Sequence, residues 1–496
     1  MRVRLALAAG LALQVAGLAS AQGPRPVVSA PSSSAASGET SFLLQNLTRA
    51  ELWRFLEPKP DGGVHPDYAF VGNRSTLGAR YRGPRWGLRG AIQYVRLENL
   101  PTGAIGPGLL GTGAAYFFQA GGTFSYQFYL RNLSVTYTDQ ARSLWLEAGR
   151  FSRAAIEEPP SGNDAIDVIT RAHLNGRLLG DMEWSMYQRA WDGVRGGVTR
   201  PGWRATITAA LPTQGTYEES ANLTLDRLRI GAAEVTTRAG TLMPHTALGV
   251  FGYVNDDRRR VTARPDNQPS PSSGGTAVAT ADVRIATVGA SAVMTFQHAS
   301  GRWDALGWAA VQTGDWYGQR HGAFSATGQA GHQWTRAPWQ PWLRGGIDYA
   351  SGDGSASDNA HGTFFPMLPS GNQLSRSNTY ALMNVVDAWV DARVSPSSAV
   401  DVVASVHHVG LATSSDRWYA GSGAAARAGN YFGFQGRASG GGHRLGTLVE
   451  SEATWRATRW WTLRGYAGRM AGGDVVRNLF ADDRLMTAWV ETMFSF

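Results

Sequence analysis

Arginine is the residue type in this chain that is best suited to specific chemistry. Lys59 is the single lysine, so 45 of the 46 basic residues are arginines. A guanidinium group stays charged and can bind a carboxylate or a phosphate through two parallel hydrogen bonds. The arginines are spread one or two per segment, and the longest basic run is Arg258–Arg260, which argues against nucleic acid as a partner. The pattern favours recognition of anions; a GC-rich coding bias towards Ala, Gly and Arg is the alternative explanation.

Motifs for catalysis or metal binding are weak. The chain has no cysteine, which excludes disulfides, thiol catalysis and Cys-ligated metals. His407 and His408 are adjacent, and neighbours on a strand point to opposite faces, so they cannot act as a dyad. Asp353, Asp358 and His361 lie in one Gly-rich loop and form a weak candidate calcium site, although a solvated loop or a plug is the favoured interpretation. No GxSxG, HExxH or phosphate-binding loop occurs, and we predict neither catalytic residues nor a cofactor.

The positions of these side chains depend on β-strands. Beyond residue 42 the dominant hydrophobic period is two, which indicates strands with one apolar face. At the end of the chain, Met486, Val490 and Phe496 share one face, and Trp489 and Glu491 lie on the other. Such an apolar face points to the core in a soluble sandwich and to lipid in a membrane barrel. A bundle of membrane helices is excluded, because no apolar run of about 20 residues follows the N-terminal segment.

The connections between the strands mostly alternate in length. Short turns such as 83–85, 139–142 and 457–458 alternate with long polar segments such as 152–181 and 352–385. An outer-membrane barrel has this layout, with short periplasmic turns, long extracellular loops and an even number of strands. We therefore predict an all-β fold, a transmembrane antiparallel β-barrel of about 18 strands. The predicted strands lie near 45–56, 73–83, 86–98, 125–138, 143–151, 182–195, 203–211, 222–234, 246–254, 281–297, 302–313, 323–335, 341–351, 386–394, 399–409, 443–456, 459–469 and 485–496.

The N-terminal segment has the features of an export signal. Arg2 and Arg4 form a positive region, Leu5–Leu18 is apolar, and Ala19-Ser20-Ala21 is a small-residue cleavage site. We predict a signal peptide at 1–21, a disordered Pro/Ser/Ala tail at 22–41, and a barrel at 42–496.

The face of each strand opposite its apolar face is expected to line the lumen. On the strand at 73–83, Arg80 and Arg82 lie opposite Leu77 and Tyr81, and the same alternation applies to the other strands. A lumen-facing arginine can select anionic solutes, or it can pair with a carboxylate that stiffens the wall. Both roles stay open at this stage. The predicted pore-lining set is Arg80, Arg82, Arg89, Arg150, Arg344, Asp348, Arg464 and Tyr466.

Three stretches resemble the alginate export family of outer-membrane porins. They are RAWDGVRGG at Arg189–Gly197, PWLRGGIDYASGDGSASDNAHGTFFPMLPSG at Pro341–Gly371, and LRGYAGRMAGGDVVRN at Leu463–Asn478; LEAGRF at Leu146–Phe151 is a weaker match. The resemblance covers about residue 42 to the end. The near absence of lysine and the second aromatic of FFPMLP depart from the family pattern. The resemblance implies an eighteen-stranded barrel that conducts anions passively through a constriction lined by arginines.

The function that we expect is therefore a passive outer-membrane channel for anionic solutes, with export of an anionic polysaccharide such as alginate as one form of it. A general nutrient porin is the main alternative, and an adhesin or enzyme on the same barrel is a weaker one. We expect Arg80, Arg89, Arg344 and Arg464 to meet at one constriction. The expected partners are anionic polysaccharide or small anionic solutes, outer-membrane lipid and the barrel assembly machinery, and the expected state is a monomer.

Overall fold

A computed structural model gives the fold of the chain. It describes residues 38–57, 59, 67–102, 115–117, 120–153, 161–215, 222–261, 264–267, 279–280, 282–424, 427–429 and 433–496. The predicted signal peptide and nearly all of the predicted tail lie outside these residues. Strand β1 begins at Glu39, three residues before the predicted start of the barrel.

Eighteen strands form one closed antiparallel barrel, which confirms the predicted fold class. Each barrel strand pairs with two neighbours, and β18 pairs back onto β1, so the barrel has no free edge. The strands are β1 (Glu39–Arg54), β2 (Asp67–Arg82), β3 (Trp86–Glu98), β4 (Ser125–Thr138), β5 (Leu144–Phe151), β6 (Trp191–Thr199), β7 (Trp203–Pro212), β8 (Leu228–Thr237), β9 (Thr246–Asp257), β10 (Val283–His298), β11 (Gly301–Trp316), β12 (Gln319–Gln333), β13 (Trp342–Ala350), β14 (Val385–Ser397), β15 (Val400–Gly410), β16 (Arg444–Arg456), β17 (Trp461–Gly472) and β18 (Arg484–Ser495).

Loop lengths divide the two ends of the barrel. Short connections such as 83–85 and 398–399 lie at one end, and the long segments lie at the other. The hairpin between β11 and β12 is the exception, because only Tyr317 and Gly318 connect these strands at the long-loop end. The expected alternation of short and long connections therefore holds for most of the barrel, because successive antiparallel strands turn at opposite ends.

Two predicted strands are displaced along the chain: 222–234 lies at Leu228–Thr237, and 182–195 is shifted further. The structure places β6 at Trp191–Thr199, and Met182, Ser185 and Met186 are fully buried in the preceding segment. This segment lies inside the barrel, where side chains are covered on every side, so its alternation does not reflect a strand in the wall. Contacts with other loops determine where its apolar and polar side chains lie.

The outer surface of the barrel is a band of exposed apolar side chains, among them Leu77, Ile207, Val250 and Val288. The inward faces of the same strands are buried and polar to a large extent. This arrangement is the reverse of a soluble sandwich and is the expected one for a barrel surrounded by lipid.

Helices α1 (Asp164–His173) and α2 (Asp474–Leu479) lie in long connections. No helix in the described part of the chain is both long and apolar enough to cross a membrane. Short strands outside the barrel wall are Arg260–Val261, Ala279–Thr280, Ala360–His361, Arg417–Gly421, Ala428–Gly429 and Phe434–Ala438.

Two long connections fold into the lumen. In the 351–384 connection, the backbone of Phe365 exchanges two hydrogen bonds with the side chain of Gln312 on β11, at 2.7 and 2.8 Å. In the 152–190 connection, Arg189 donates to the Leu368 carbonyl at 2.9 Å, which joins the two loops. Phe364, Phe365 and Leu368 are buried. The two loops thus pack against the wall and against each other, and they narrow the space inside the barrel.

Candidate functional site

The strand register decides which of the predicted pore-lining residues face the lumen. Arg80 and Arg82 lie on the face of β2 opposite the exposed Leu77 and Tyr81, and Arg80 is the cross-strand partner of Arg89. Cross-strand partners share a face of the sheet, so all three arginines point inward. Arg344, Asp348, Arg464 and Tyr466 also lie on inward faces.

Arg150 is the exception, and its prediction as a pore-lining residue is wrong. Its cross-strand partner Leu133 is exposed on the outer surface, and so is Val194, which lies two residues from Asp192 on the same face. Arg150 binds Asp192 through two hydrogen bonds of 2.7 and 2.6 Å. Period-two alternation places it with the exposed Leu146, and its charge is balanced by the carboxylate on the neighbouring strand.

A polar chamber with a volume of about 180 Å³ lies between the inner wall and the two inserted loops. Its wall comes from the inward faces of β13 to β17. Helix α1 and the loop segment 372–376 cover it from the lumen side. The charged and aromatic residues that line it are His173, Arg177, Trp342, Arg344, Asp348, Arg376, Trp389, Asp391, Arg393, His407, Glu450, Glu452 and Tyr466.

Two arginines of the chamber are locked in buried ion pairs. Arg344 donates from Nε to Asp304 at 2.9 Å, and both side chains are almost fully buried. Arg177, from the loop that carries α1, pairs with Asp348, and its guanidinium lies 4.8 Å from the ring centre of Trp308. Buried pairs of this kind fix the wall and the loop in one geometry. Arg344 and Asp348 thus have the buried pairing that a structural role requires.

Helix α1 is held at both ends. At its N-terminus, Asn163 accepts hydrogen bonds from the backbone N–H groups of Ala165 and Ile166 and donates to Thr295 of β10 at 2.7 Å. At its C-terminus, His173 stacks on Trp389 with ring centres 5.3 Å apart and forms a hydrogen bond with Arg344. Burial, together with the nearby Arg344 and Arg177, lowers the pKa of His173 well below its usual value. The imidazole is therefore neutral where it contacts Arg344.

Four other lumen arginines keep their guanidinium groups accessible, and we call them the arginine row. Each pairs with a carboxylate that lies deeper in the wall. Arg376 pairs with Glu452, Arg393 and Arg456 pair with Asp401, and Arg464 pairs with Glu491. The four arginine side chains are 34 to 46% exposed, whereas their carboxylate partners are 1 to 17% exposed. Solvent in the lumen therefore meets mainly the cationic side of these pairs.

Arg80, Arg89, Arg344 and Arg464, which we expect at one constriction, do not all line the chamber. Of these four, only Arg344 lines the chamber. Arg464 instead belongs to a separate network, in which Glu491 also accepts hydrogen bonds from Arg49 at 2.9 and 2.6 Å. The four residues lie on β2, β3, β13 and β17. The alternation of side chains along a strand predicts the face on which a residue lies, but it carries no information on how far apart two strands lie around the barrel.

The acidic loop that we considered for calcium is also arranged differently. Asp353 is buried, and its backbone N–H donates to Asp416 at 2.8 Å, whereas the exposed Asp358 accepts from the backbone N–H of Ala360. Across the described residues, no group of three or more Asp, Glu or His is placed to hold a metal ion. His407 faces the lumen and His408 faces outward, as strand alternation requires.

Sequence reasoning missed the most accessible chamber residues, Arg376 and Arg393. Arg393 could have been found, because it alternates with Val390 and Val394 on a predicted strand. Arg376 lies in a loop, where no period indicates its direction. Its position follows from the neighbouring backbone, since Glu450 accepts hydrogen bonds from the N–H groups of Arg376 and Ser377 at 3.2 and 2.9 Å.

Several solved structures share this architecture. The outer membrane protein OpdK from Pseudomonas aeruginosa aligns with a TM-score of 0.54 and 9% identity, over 92% of this chain and 99% of that one. OccK2 (OpdF) from the same organism, solved in complex with glucuronate, aligns with a TM-score of 0.56 and 7% identity, over 92% and 98%. OccAB4 from Acinetobacter baumannii aligns with a TM-score of 0.55 and 6% identity, over 92% and 98%. At these identities the likeness concerns the fold.

Sequence comparison assigns the family. No curated protein matches the chain. The family model described as alginate export matches residues 170–489, nearly two thirds of the chain. This region includes the C-terminal end of α1, the loop at 351–384 and every strand that forms the wall of the chamber. The chain is thus an integral outer-membrane β-barrel, and it belongs to the alginate export family.

Proposed function

We propose that this chain, an outer-membrane channel for anionic solutes, conducts sugar acids of the uronate class. The arginine row selects these solutes. The observation that carries the proposal is the unequal exposure within each ion pair of the row, where the arginines are accessible and the carboxylates are covered. Charges that line a narrow space with low-dielectric walls raise the local concentration of counter-ions. A passing anion therefore meets a positive surface, although the chamber contains acidic groups as well.

The chemistry of the chamber supports a sugar acid in particular. Guanidinium groups bind carboxylates with two parallel hydrogen bonds, and Arg376 and Arg393 both reach the chamber. Glucuronate, the ligand in the OccK2 structure, belongs to the same chemical class.

Reversal potentials test the role of the arginine row. We expect the wild-type channel to prefer anions in a salt gradient, and we expect the variant R376Q/R393Q/R456Q to lose most of that preference. The measurement requires moderate ionic strength, because the Debye length falls to about 3 Å at 1 M salt and the effect would be screened. The matched control is R229Q/R284Q/R320Q, which removes three arginines from the outer surface and should leave the reversal potential unchanged.

A flux assay tests the substrate class. Vesicles that contain the wild-type channel should take up glucuronate faster than glucose, which has nearly the same size and no charge. The triple variant should show equal rates for both sugars. A general nutrient porin would instead admit both sugars equally in the wild type. An unchanged ion preference in the triple variant, or equal uptake by the wild type, would contradict the proposal.

Export of a polymeric uronate is a second candidate, because the matched family is described by alginate export. A polymer needs a continuous path, and the contact between Arg189 and Leu368 joins two loops across the lumen. Release of oligouronates of increasing length from vesicles would decide between the candidates. A cut-off at one or two sugar units supports small solutes, and uniform release supports export.

We also infer that the chain works as a channel without catalysis.

A further inference from the structure

The outward-facing arginines near the long-loop end of the barrel fall into two groups. In the first group each arginine faces a carboxylate on the neighbouring strand. Arg284 lies 3.4 Å from Asp256, Arg229 is the cross-strand partner of Asp256, and Arg320 is that of Asp315. These three arginines thus share two carboxylates, Asp256 and Asp315.

The second group lies at the seam where β17, β18 and β1 meet, and we call it the seam cluster: Arg54, Arg469 and Arg484. Arg469 lies between Val449 and Met486, and Arg484 faces Ala471. Neither Arg469 nor Arg484 forms an ion pair with any residue that the structure describes. Arg54, like the first group, faces a carboxylate, Asp67, and it lies 3.8 Å from Asp482, but its side chain is 59% exposed.

The register brings these three side chains together on the outer surface. Met486 is the cross-strand partner of both Arg54 and Arg469, which therefore lie two strands apart, about 10 Å from each other. Arg484 lies two residues before Met486 on the same face and is the diagonal neighbour of Arg469, at about 7–8 Å. The seam cluster is thus a triangle of cations around one methionine.

The cluster also marks the border of the apolar band. Leu52 and Val490 are exposed on the outer surface on the short-turn side of the cluster, and the exposed Val449 and Met486 lie beside Arg469. Long loops of outer-membrane barrels face the exterior, so the cluster lies at the outer boundary of the hydrocarbon layer. Arginine side chains at such a border extend their charged heads into the headgroup region.

We propose that the seam cluster binds the phosphate groups of a phosphorylated lipid headgroup in the outer leaflet. Arginine binds phosphate through paired, charge-assisted hydrogen bonds, and three such groups at 7–10 Å spacing suit a headgroup with more than one phosphate. Met486 and Val490 supply an apolar surface for the acyl chains of the same lipid. The bound lipid supplies the counter-charge that Arg469 and Arg484 lack among the described residues.

Native mass spectrometry of the purified, folded barrel in neutral detergent tests this proposal, with bisphosphorylated lipid A as the probe. We expect the wild type to retain the lipid and R54Q/R469Q/R484Q to bind it at least about tenfold more weakly, because each arginine near an anionic headgroup adds to the attraction. The control R229Q/R284Q/R320Q removes the same number of outward arginines and should bind like the wild type. Heat-modifiable migration checks that all three proteins are folded.

Two further arms identify the bound group. Dephosphorylated lipid A should bind the wild type as weakly as the bisphosphorylated lipid binds the seam variant, and millimolar inorganic phosphate should not displace the lipid. The proposal is overturned if the seam variant retains the lipid like the wild type, or if removal of the phosphates changes nothing. It is equally overturned if the wild type forms a dimer that the seam variant loses, since the cluster would then be a contact between two copies of this chain.

Discussion

At the scale of single residues, burial decides what an arginine in the lumen does. Arg344 is enclosed with Asp304, which is itself completely covered, and Gln329 accepts a further hydrogen bond from the same guanidinium. Arg464 is one third exposed, and its partner Glu491 has a second cation in Arg49. Both arginines obey the same strand alternation, yet one is enclosed in the wall and the other faces the lumen.

The pair R344Q and R464Q separates these two roles. Loss of Arg344 leaves Asp304 buried without its cation, which costs about 3–5 kcal/mol in the free energy of unfolding. Loss of Arg464 leaves Glu491 with Arg49, so the cost should stay near that of an exposed pair, about 1 kcal/mol or less. Urea unfolding of the barrel in lipid vesicles measures both values. The reversal potential should change in R464Q and stay close to the wild-type value in R344Q. A reversed order of stabilities, or a selectivity loss confined to R344Q, would contradict this assignment.

At the scale of elements, α1 shows how a loop helix becomes part of a pore. Its buried side, which includes Ile166 and Ile169, packs in the lumen, and its two ends are fixed to different wall strands, β10 and β14. Packing of one face is what stabilises a helix of this length, since an isolated ten-residue helix is marginal in water. The contact between His173 and Arg344 closes the chamber on this side.

The docking of α1 should therefore depend on pH. Burial and two nearby arginines lower the pKa of His173, so the docked helix binds fewer protons than the undocked one. Docking is then fully stable above the ordinary histidine pKa of about 6.5 and is progressively weakened as the pH falls below that value. Single-channel recordings should show more frequent openings at about pH 5 than at about pH 7.5.

The variant H173Q is the control for this effect, because glutamine keeps a hydrogen-bonding side chain that does not titrate in this range. Its opening frequency should be the same at both pH values. If H173Q retains the full pH dependence of the wild type, another group controls the opening, and the role assigned to His173 is wrong.

At the scale of the whole molecule, closure of the barrel joins the two ends of the described chain. Gln45 pairs with Ser495, and Leu44 exchanges two backbone hydrogen bonds with Phe496 at 3.1 and 2.8 Å. Phe496 is exposed on the outer surface at the short-turn end, where aromatic side chains of barrels lie at the membrane interface. The same seam, at its opposite end, carries the arginines for which we propose a lipid partner.

Removal of Phe496 should reduce the amount of folded barrel in the outer membrane. The deletion removes the last backbone pair of the closing seam and its interfacial aromatic ring, so closure becomes slower and less favourable. The fraction of heat-modifiable protein in outer-membrane preparations measures the effect. F496Y keeps both the backbone pair and an aromatic ring and should assemble like the wild type. Normal assembly of the deletion would show that closure does not depend on this residue.

The sequence by itself determined the wall of this protein. Residues that alternate between lipid and lumen have period two, so most of the eighteen strands, their inward faces and most of the split between short and long connections follow from local pattern. The alternation also predicts that Arg344 and Arg464 point inward. Applied strictly, the same alternation places Arg150 on the outer face of the barrel. The family resemblance came from residues of the same wall and its loops.

Only the tertiary structure decided what fills that wall. The 152–190 and 351–384 connections have no period that reports their direction, and their positions depend on contacts such as Arg189 with Leu368, far apart in sequence. The pairing of Arg344 with Asp304 and the exposure of Arg376 likewise depend on which strands and loops become neighbours. Local pattern fixes the face on which a side chain lies; burial and ion pairing depend on long-range contacts, which exist only after the barrel has closed around its loops.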